Sequence, residues 1–261
     1  MAADIVAKGR LMDTAATPQT GPEFYDDPNT FNGYMQVRNG PDDANLRLEQ
    51  PSVQEFVGRP EGLAVLDLGC GDGRYGLELL EAGAQSYLGV DGSSRMLEAA
   101  RERLGEDSRV RLVHADLQEW NPDGIEVDVV VARMSFHYIP DLTDLLRRVR
   151  SCLRPGGRLV ASVEHPVITS NYDQADLAPG AGRWAVSGYF REGPRICPWL
   201  GSEVVKQHRT IASYLSALSH AGFALEGLSE GAPRRDEFEY PSNFERAEDV
   251  PFYLILCGRA E

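Results

Sequence analysis

The stretch that decides the fold is Leu63-Ala64-Val65-Leu66-Asp67-Leu68-Gly69-Cys70-Gly71-Asp72-Gly73. A short apolar run that passes directly into alternate glycines reads as a buried strand turning into a helix. Glycine permits the tight turn and lets backbone N–H groups at the mouth of the following helix approach a ligand. Such a loop alone serves several nucleotide-like ligands, or is only a turn. Two features narrow it. The spacing is not the G-x-G-x-x-G that shelters a dinucleotide pyrophosphate, and Asp67 precedes the glycines while Asp72 lies among them. Two carboxylates repel a pyrophosphate and suit a ligand that carries positive charge.

Working outward, apolar runs alternate with amphipathic segments. A helix runs from Tyr75 to about Ala82 and stops at Gly83; Ser86 to Val90 is a second strand, ending at Asp91-Gly92. Ser93-Ser94 can cap a helix from Arg95 to Leu104, whose Met96, Leu97, Ala100 and Leu104 share one face. Val110 to His114, the β-branched run Val127 to Ala132, and Arg158 to Val163 read as strands three to five. Asp141 to Leu153 is a helix with an acidic start and an Arg-rich finish, the charge order that suits its dipole. After an irregular stretch, Thr210 to His220 reads as a helix, and Leu225 to Leu228 with Phe252 to Gly258 as an antiparallel pair completing the sheet. The cadence predicts an α/β protein with a mostly parallel sheet covered by helices on both faces.

Three divisions of the chain are expected. Residues 1–22, rich in Ala, Thr, Pro and Gly, read as a mobile arm. Residues 23–60 combine aromatics (Phe24, Tyr25, Phe31, Tyr34) with an apolar helical face of Leu46, Leu48, Val53 and Phe56, and read as a lid. Residues 61–261 form the core, with a substrate-side insert at about 167–208 that is too irregular for the sheet. The net charge of -14 and the lack of a Lys/Arg block argue against nucleic-acid partners. Cys70, Cys152, Cys197 and Cys257 are scattered without metal-ligand spacing, so neither a disulfide framework nor a metal is expected. No signal peptide or membrane-length apolar run is visible, which points to the cytoplasm. A homo-oligomer is left open.

Asp67 to Gly73 resembles the first motif of the class I S-adenosylmethionine (SAM)-dependent methyltransferases, and the resemblance extends from about Leu63 to Pro166. It implies a doubly wound, Rossmann-like, seven-stranded sheet whose last strand is antiparallel. It also implies that Asp67, Gly69 and Gly71 cradle SAM. Asp91, about 20 residues after the loop, would take the ribose hydroxyls, with Gly92, Ser93 and Met96 following it. Asp116 and Leu117, after strand three, would meet the adenine, and Arg133 and Met134 would line the methionine end. Leu153-Arg154-Pro155-Gly156-Gly157 is similar to the family's turn before strand five.

On the acceptor side the reading is more open. Methyl transfer rests largely on positioning, and needs a base only for an acceptor that arrives protonated. Tyr25, Tyr34 and Arg38 resemble the lid of a small-molecule subgroup, in which an arginine pairs with the SAM carboxylate and tyrosine faces stabilise cations. The alternative is a plain amphipathic helix packed on the core. His165 at the end of strand five, His137 after strand four and His208 before the next helix are candidate bases or acceptor contacts, each with a structural alternative. The reading is transfer of methyl from SAM, leaving S-adenosylhomocysteine, to a small molecule at N, O or C. A secondary-metabolite intermediate, as in antibiotic biosynthesis, is the expected class. The alternatives are a protein or RNA methyltransferase on the same core, or a non-catalytic SAM-binding module.

Overall fold

Every residue of Ala64–Leu68 (β1) is buried, as a strand covered by helices on both faces requires. The computed structural model describes residues 18–40, 43–171, 184–239 and 241–261. β1 pairs in parallel with Ser86–Asp91 (β2) and with Val127–Arg133 (β4), placing Leu66 between Leu88 and Val130. Val110–His114 (β3) extends the sheet beyond β2, and Leu153–Glu164 (β5) extends it beyond β4. A hairpin, Gly193–Trp199 (β6) and Ser202–His208 (β7), stands apart as a two-stranded sheet. Phe223–Ser229 (β8) and Tyr253–Ala260 (β9) close the far edge, with β9 antiparallel to both β5 and β8. The order β3-β2-β1-β4-β5-β9-β8 is the expected seven-stranded, doubly wound arrangement with an antiparallel last strand.

Side chains alternate across this sheet, so each strand feeds two cores. Leu66, Leu68, Val130 and Ala132 face the helices Leu142–Cys152 and Ile211–His220. Val65, Val129, Val131 and Tyr87 face Gln50–Val57, Arg74–Glu81 and Ser94–Leu104. In chain order the helices are α1 (Gly21–Asp26), α2 (Pro28–Arg38), α3 (Gln50–Val57), α4 (Arg74–Glu81), α5 (Ser94–Leu104), α6 (Leu142–Cys152), α7 (Pro166–Thr169), α8 (Ile211–His220) and α9 (Pro241–Asp249).

Several boundaries differ from the sequence reading. Helix α1 begins at Gly21 inside the expected arm, and Gln19 pairs with β7 through Gln19 N to Glu203 O at 3.1 Å and Val205 N to Gln19 O at 3.0 Å. Residues 1–17 of the arm and residues 172–183 of the insert lie outside the described residues. Strand β5 starts at Leu153, because that residue pairs with Val127 before the Pro155–Gly157 turn. Asn45–Glu49 is a π-helix leading into α3, a local geometry that a 3.6-residue period does not reveal. Helix α9 lies where the sequence pattern predicts no element, and the cysteines are free. No described helix is long and apolar enough to cross a membrane.

Helix α4 lies so close to β2 that a Cβ built on Gly76 would sit 2.4 Å from Tyr87 Cζ. Alanine in mid-helix normally gains about 1 kcal/mol over glycine. Overpacking against a fully buried tyrosine costs about 1–3 kcal/mol, and the ring cannot swing away. Gly76→Ala is therefore expected to lower stability by up to about 2 kcal/mol, read as a lower urea midpoint; a higher midpoint would show that Tyr87 yields.

Candidate active site

Strand order reverses between β1 and β4, and in open parallel sheets the ligand crevice lies beyond the strand ends at that point. Gly69, with φ +81°, leads the chain out of β1 against Ser135: a Cβ there would lie 2.5 Å from Ser135 Cβ. Gly71, with φ +55°, has no heavy atom within 4 Å of its would-be Cβ, so the space above the loop is open. Gly71 N donates to Asp91 Oδ2 at 2.8 Å, and Ser93 N donates to Asp91 Oδ1 at 2.8 Å. Asp91 thereby ties the glycine loop to the turn after β2. Burial holds its carboxyl above the usual range.

The two loop carboxylates have different fates. Asp67 is 1% exposed; Oδ2 accepts from Tyr87 Oη at 2.8 Å, and Oδ1 has no hydrogen-bond partner among the described residues. Burial pushes this carboxyl up to about 6. Asp72 turns away to Arg103 Nη2 at 2.6 Å, on α5, so only Asp67 keeps an unsatisfied oxygen. An orphaned buried carboxylate oxygen beside open backbone fits a ligand that brings a cationic or N–H group. Farther along, Ser93 caps α5 by accepting from Met96 N at 3.2 Å, and Met96 is buried. Asp116 is exposed after β3, accepting from Gln118 N at 2.9 Å, with Leu117 buried beside it.

The segment before β1 folds over these strand ends. Asp26 Oδ1 accepts from Ser93 Oγ at 2.7 Å, Ser94 Oγ at 3.2 Å and Arg95 N at 3.2 Å, and Arg95 Nε donates to Asp26 O at 2.7 Å. Pro22 approaches Gly92 so closely that a Cβ there would meet its Cγ at 2.6 Å. Arg38 is held by Asp43 (Nη1 to Oδ2, 2.5 Å), and Arg133 grips Glu49 through Nε, at 3.0 and 3.1 Å, and through Nη2. Glu49 also accepts from Ser162 Oγ at 2.5 Å and has no exposed surface. Both guanidiniums expected at the methionine end are thus paired within the protein. Met134 follows with φ +54°, a left-handed conformation uncommon outside glycine; its amide donates to Ser162 O at 2.9 Å.

Beyond β4 and β5 lies an aromatic cluster. Tyr25 meets Phe24, Tyr34, Tyr138 and Trp199 edge-on, with ring centroids 5.4, 5.1, 6.2 and 6.1 Å away. Tyr25 and Tyr138 share a hydrogen bond of 3.1 Å between hydroxyls. Lys206, 2% exposed on β7, is ion-paired with Glu164 at 2.5 Å. Its ammonium lies 5.0 Å from the Trp199 ring and 5.8 Å from that of Tyr138.

The candidate histidines are placed differently from one another. His165 caps α7, its Nδ1 accepting from Val167 N at 3.1 Å while Nε2 meets Glu230 at 3.0 Å. His208 bridges Thr169 Oγ1 at 2.6 Å and Tyr189 O at 2.9 Å. His137, 1% exposed and packed on Tyr138 at 4.4 Å, leaves Nδ1 without a partner among the described residues. Burial drives its pKa to about 3, so it is neutral. Sequence reasoning missed Asp26, Asp43, Glu49, Glu164 and Lys206 as site residues. Glu49 had a signal: with Val53 and Phe56 it follows i, i+4, i+7 spacing, which puts a carboxylate on a core-facing stripe.

Comparison with known proteins agrees with this geometry. A family profile described as a methyltransferase domain matches residues 65–157. An uncharacterised protein of Haemophilus influenzae is 30% identical over 246 residues, 90% of this chain and 96% of that one. A trans-aconitate 2-methyltransferase of an Acidovorax strain is 38% identical over 128 residues; the alignment spans 48% of this chain and 46% of that relative's length. The crystal structure of an S-adenosylmethionine-dependent methyltransferase from Mesorhizobium loti superposes with TM-score 0.73 at 32% identity, covering 85% of this chain and 99% of that one. With this near-complete match, the chain is an enzyme that uses SAM as methyl donor, and it belongs to the SAM-dependent methyltransferases.

Proposed function

We propose that the protein methylates a small molecule enclosed between residues 23–60, acting as a lid, and the insert at about 167–208. The observation that carries this reading is the aromatic wall formed by Tyr25 and Tyr34 from the lid, Tyr138 from the end of β4, and Trp199 from the insert. Tyr25 packs on the other three rings and Tyr34 also on Trp199, so the two segments meet in an apolar contact over the strand ends, which supports a small acceptor covered by both rather than a polymer. Relatives matched over about half the chain include a 27-O-demethylrifamycin SV methyltransferase of Amycolatopsis mediterranei (35% identical, 50% of this chain). That match is compatible with a natural-product acceptor.

In this reading Asp67, Gly69 and Gly71 receive SAM, Asp91 takes its ribose hydroxyls with Gly92, Ser93 and Met96 around them, and Asp116 with Leu117 holds the adenine. SAM supplies an electrophilic methyl group. The chain orients it, keeps Asp67 in reach of its positive charge and excludes water. Tyr34, Arg38 and Arg133 bound the methionine end, and Tyr25, His137, His165 and His208 stand around the acceptor side. The lid is clasped by Asp26 on the N-terminus of α5, where a carboxylate complements the helix dipole.

The acceptor class is tested by supplying methyl-labelled SAM with a cell extract: label should collect in the ultrafiltrate, and label confined to protein or RNA would overturn the reading. Asp91→Ala should weaken SAM binding about 10- to 100-fold by calorimetry, the effect of deleting a charge-assisted hydrogen bond; unchanged affinity would remove the ribose assignment. Asp26→Ala, which frees the lid, should weaken SAM binding by about 5-fold and speed its release; an unaltered off-rate would detach the lid from the donor site. Asp67 titrates with opposite consequences for stability and binding. Its folded pKa is raised, so without ligand it favours folding below about pH 4 and that contribution is lost as pH rises through about 6. SAM prefers the ionised form, so its affinity should rise with pH up to about 6 and then level off. Asp67→Asn should flatten both profiles, and a mutant that keeps either slope would assign that slope to another group.

A further inference from the structure

The residue that opens α4 stands against its local electrostatics. Arg74 is the first residue of the helix, the first turn holds no acidic side chain, and the N-cap is Gly73, which has no side-chain acceptor to offer. A cation in that place meets the positive end of the helix dipole and is disfavoured. A local rule broken beside a ligand loop calls for a compensating contact elsewhere, and the side chain of Arg74 makes one. Nη1 donates to Arg38 O at 2.8 Å, and Nη2 donates to Asn39 Oδ1 at 2.6 Å. Arg38 is the last residue of α2 and Asn39 is its C-cap. The guanidinium therefore sits at the negative end of a second helix, on a carbonyl that has no partner inside that helix. The charge that α4 disfavours is the charge that α2 favours.

The opposite end of α2 is held in a matching way. Asp27 caps it, accepting from Asn29 N at 2.9 Å and Thr30 N at 3.0 Å. The neighbouring Asp26 accepts from Ser93, Ser94 and Arg95 at the start of α5. Helix α2, 11 residues and about 16 Å long, is thus a strap stretched between the starts of α4 and α5, the helices that follow β1 and β2. Asp72 joins those two starts to each other. Arg103 of α5 donates through Nε to Asp72 O at 3.0 Å and through Nη2 to Asp72 Oδ2 at 2.6 Å, while Asp72 Oδ1 accepts from Arg74 N at 3.3 Å. The second acid of the glycine loop therefore braces the main chain from which Arg74 reaches across. The Arg74 side chain is 19% exposed, so solvent screens its contacts less than those of a surface pair.

Resting on the reading of residues 23–60 as a lid, we propose that Arg74 is a positioning residue for methyl transfer. It latches the C-terminal end of α2 to the glycine loop, and with Asp26 at the other end it sets how long SAM and S-adenosylhomocysteine stay bound. Its action is on the lid helix, not on either ligand. Asp72 and Arg74 belong to the loop that receives the donor, between and after Gly71 and Gly73, whose backbones are left-handed. The latch therefore forms in full only while that loop holds its shape, and a loop ordered by the donor favours the closed strap. Tyr34 rides on the strap between its two anchors, with Arg38, Asp72 and Arg133 as charged neighbours.

The test follows release of S-adenosylhomocysteine from the full chain by stopped-flow tryptophan fluorescence, with trypsin cleavage after Arg38, a residue 9% exposed, as a second measure of strap opening. Arg74→Gln should raise the off-rate about 5- to 20-fold, the range for losing hydrogen bonds from a charged group at a helix end. It should also speed cleavage after Arg38 and leave the urea midpoint unchanged. Arg74→Lys, which keeps the charge, should recover part of the slow release. Asn39→Ala removes one of the two bonds from the strap side and leaves α4 intact, so it keeps the test available if Arg74→Gln does not fold; its off-rate should rise about 2- to 5-fold. Release unchanged in Arg74→Gln and Asn39→Ala, but faster in Asp26→Ala, would overturn the latch and leave the lid standing. Release unchanged in all three would overturn the latch and the lid together. An off-rate that rises only in step with a lower urea midpoint would also overturn the proposal, because Arg74 would then act on the fold at large.

Discussion

The ion pair between Glu49 and Arg133 joins three segments that are distant in the chain. Glu49 comes from the π-helix before β1, Arg133 ends β4, and Ser162, the third partner, lies on β5. Removing a carboxylate from water costs several kcal/mol, and a buried pair recovers that cost only when geometry and accessory hydrogen bonds are both good. Here the guanidinium fork and the serine hydroxyl occupy the carboxylate, and Arg133 rests 4.5 Å from the Tyr75 ring centroid. Displacing the segment from the sheet would strand both charges. That constraint fixes the chain over the ends of β4 and β5, beside Met134, whose backbone is left-handed.

The pairing also sets the sign of the field beside the glycine loop. On the donor side, Arg38 and Arg133 are spent on Asp43 and Glu49, and Asp72 is spent on Arg103. What remains there is Asp67 with its unpartnered oxygen, and Asp91 holding two amides. A negative remainder suits a sulfonium donor. Across the rings, Lys206 is paired with Glu164.

The elements that pack locally were legible from the chain. β1 to β5, α5, α6 and α8 follow from runs of Val, Leu and Ala bounded by Gly, Pro and capping Ser or Asp, since burial and backbone conformation act within a few residues. The glycine loop and Asp91 were legible for the same reason: their spacing is set by one strand–helix–strand unit. The π-helix, α9 and the early start of β5 were not. An extra residue in a helical turn leaves no periodic trace, and Leu153 becomes strand only because Val127 lies opposite it.

Side-chain partners across the fold lay outside the reach of the sequence. Asp67 and Asp72 are equivalent as letters in one motif, yet one is orphaned and the other neutralised, because α5 brings Arg103 to only one of them. His137, His165 and His208 were indistinguishable as candidate bases, and burial and hydrogen-bond partners separate them. By itself the sequence determined the sheet and the methyl donor, because those depend on local pattern and fixed spacing. Only the tertiary structure decided which charges cancel and which remain. That depends on residues dozens or more positions apart meeting in a desolvated interior, where the energy of a charge is set by what lies opposite it.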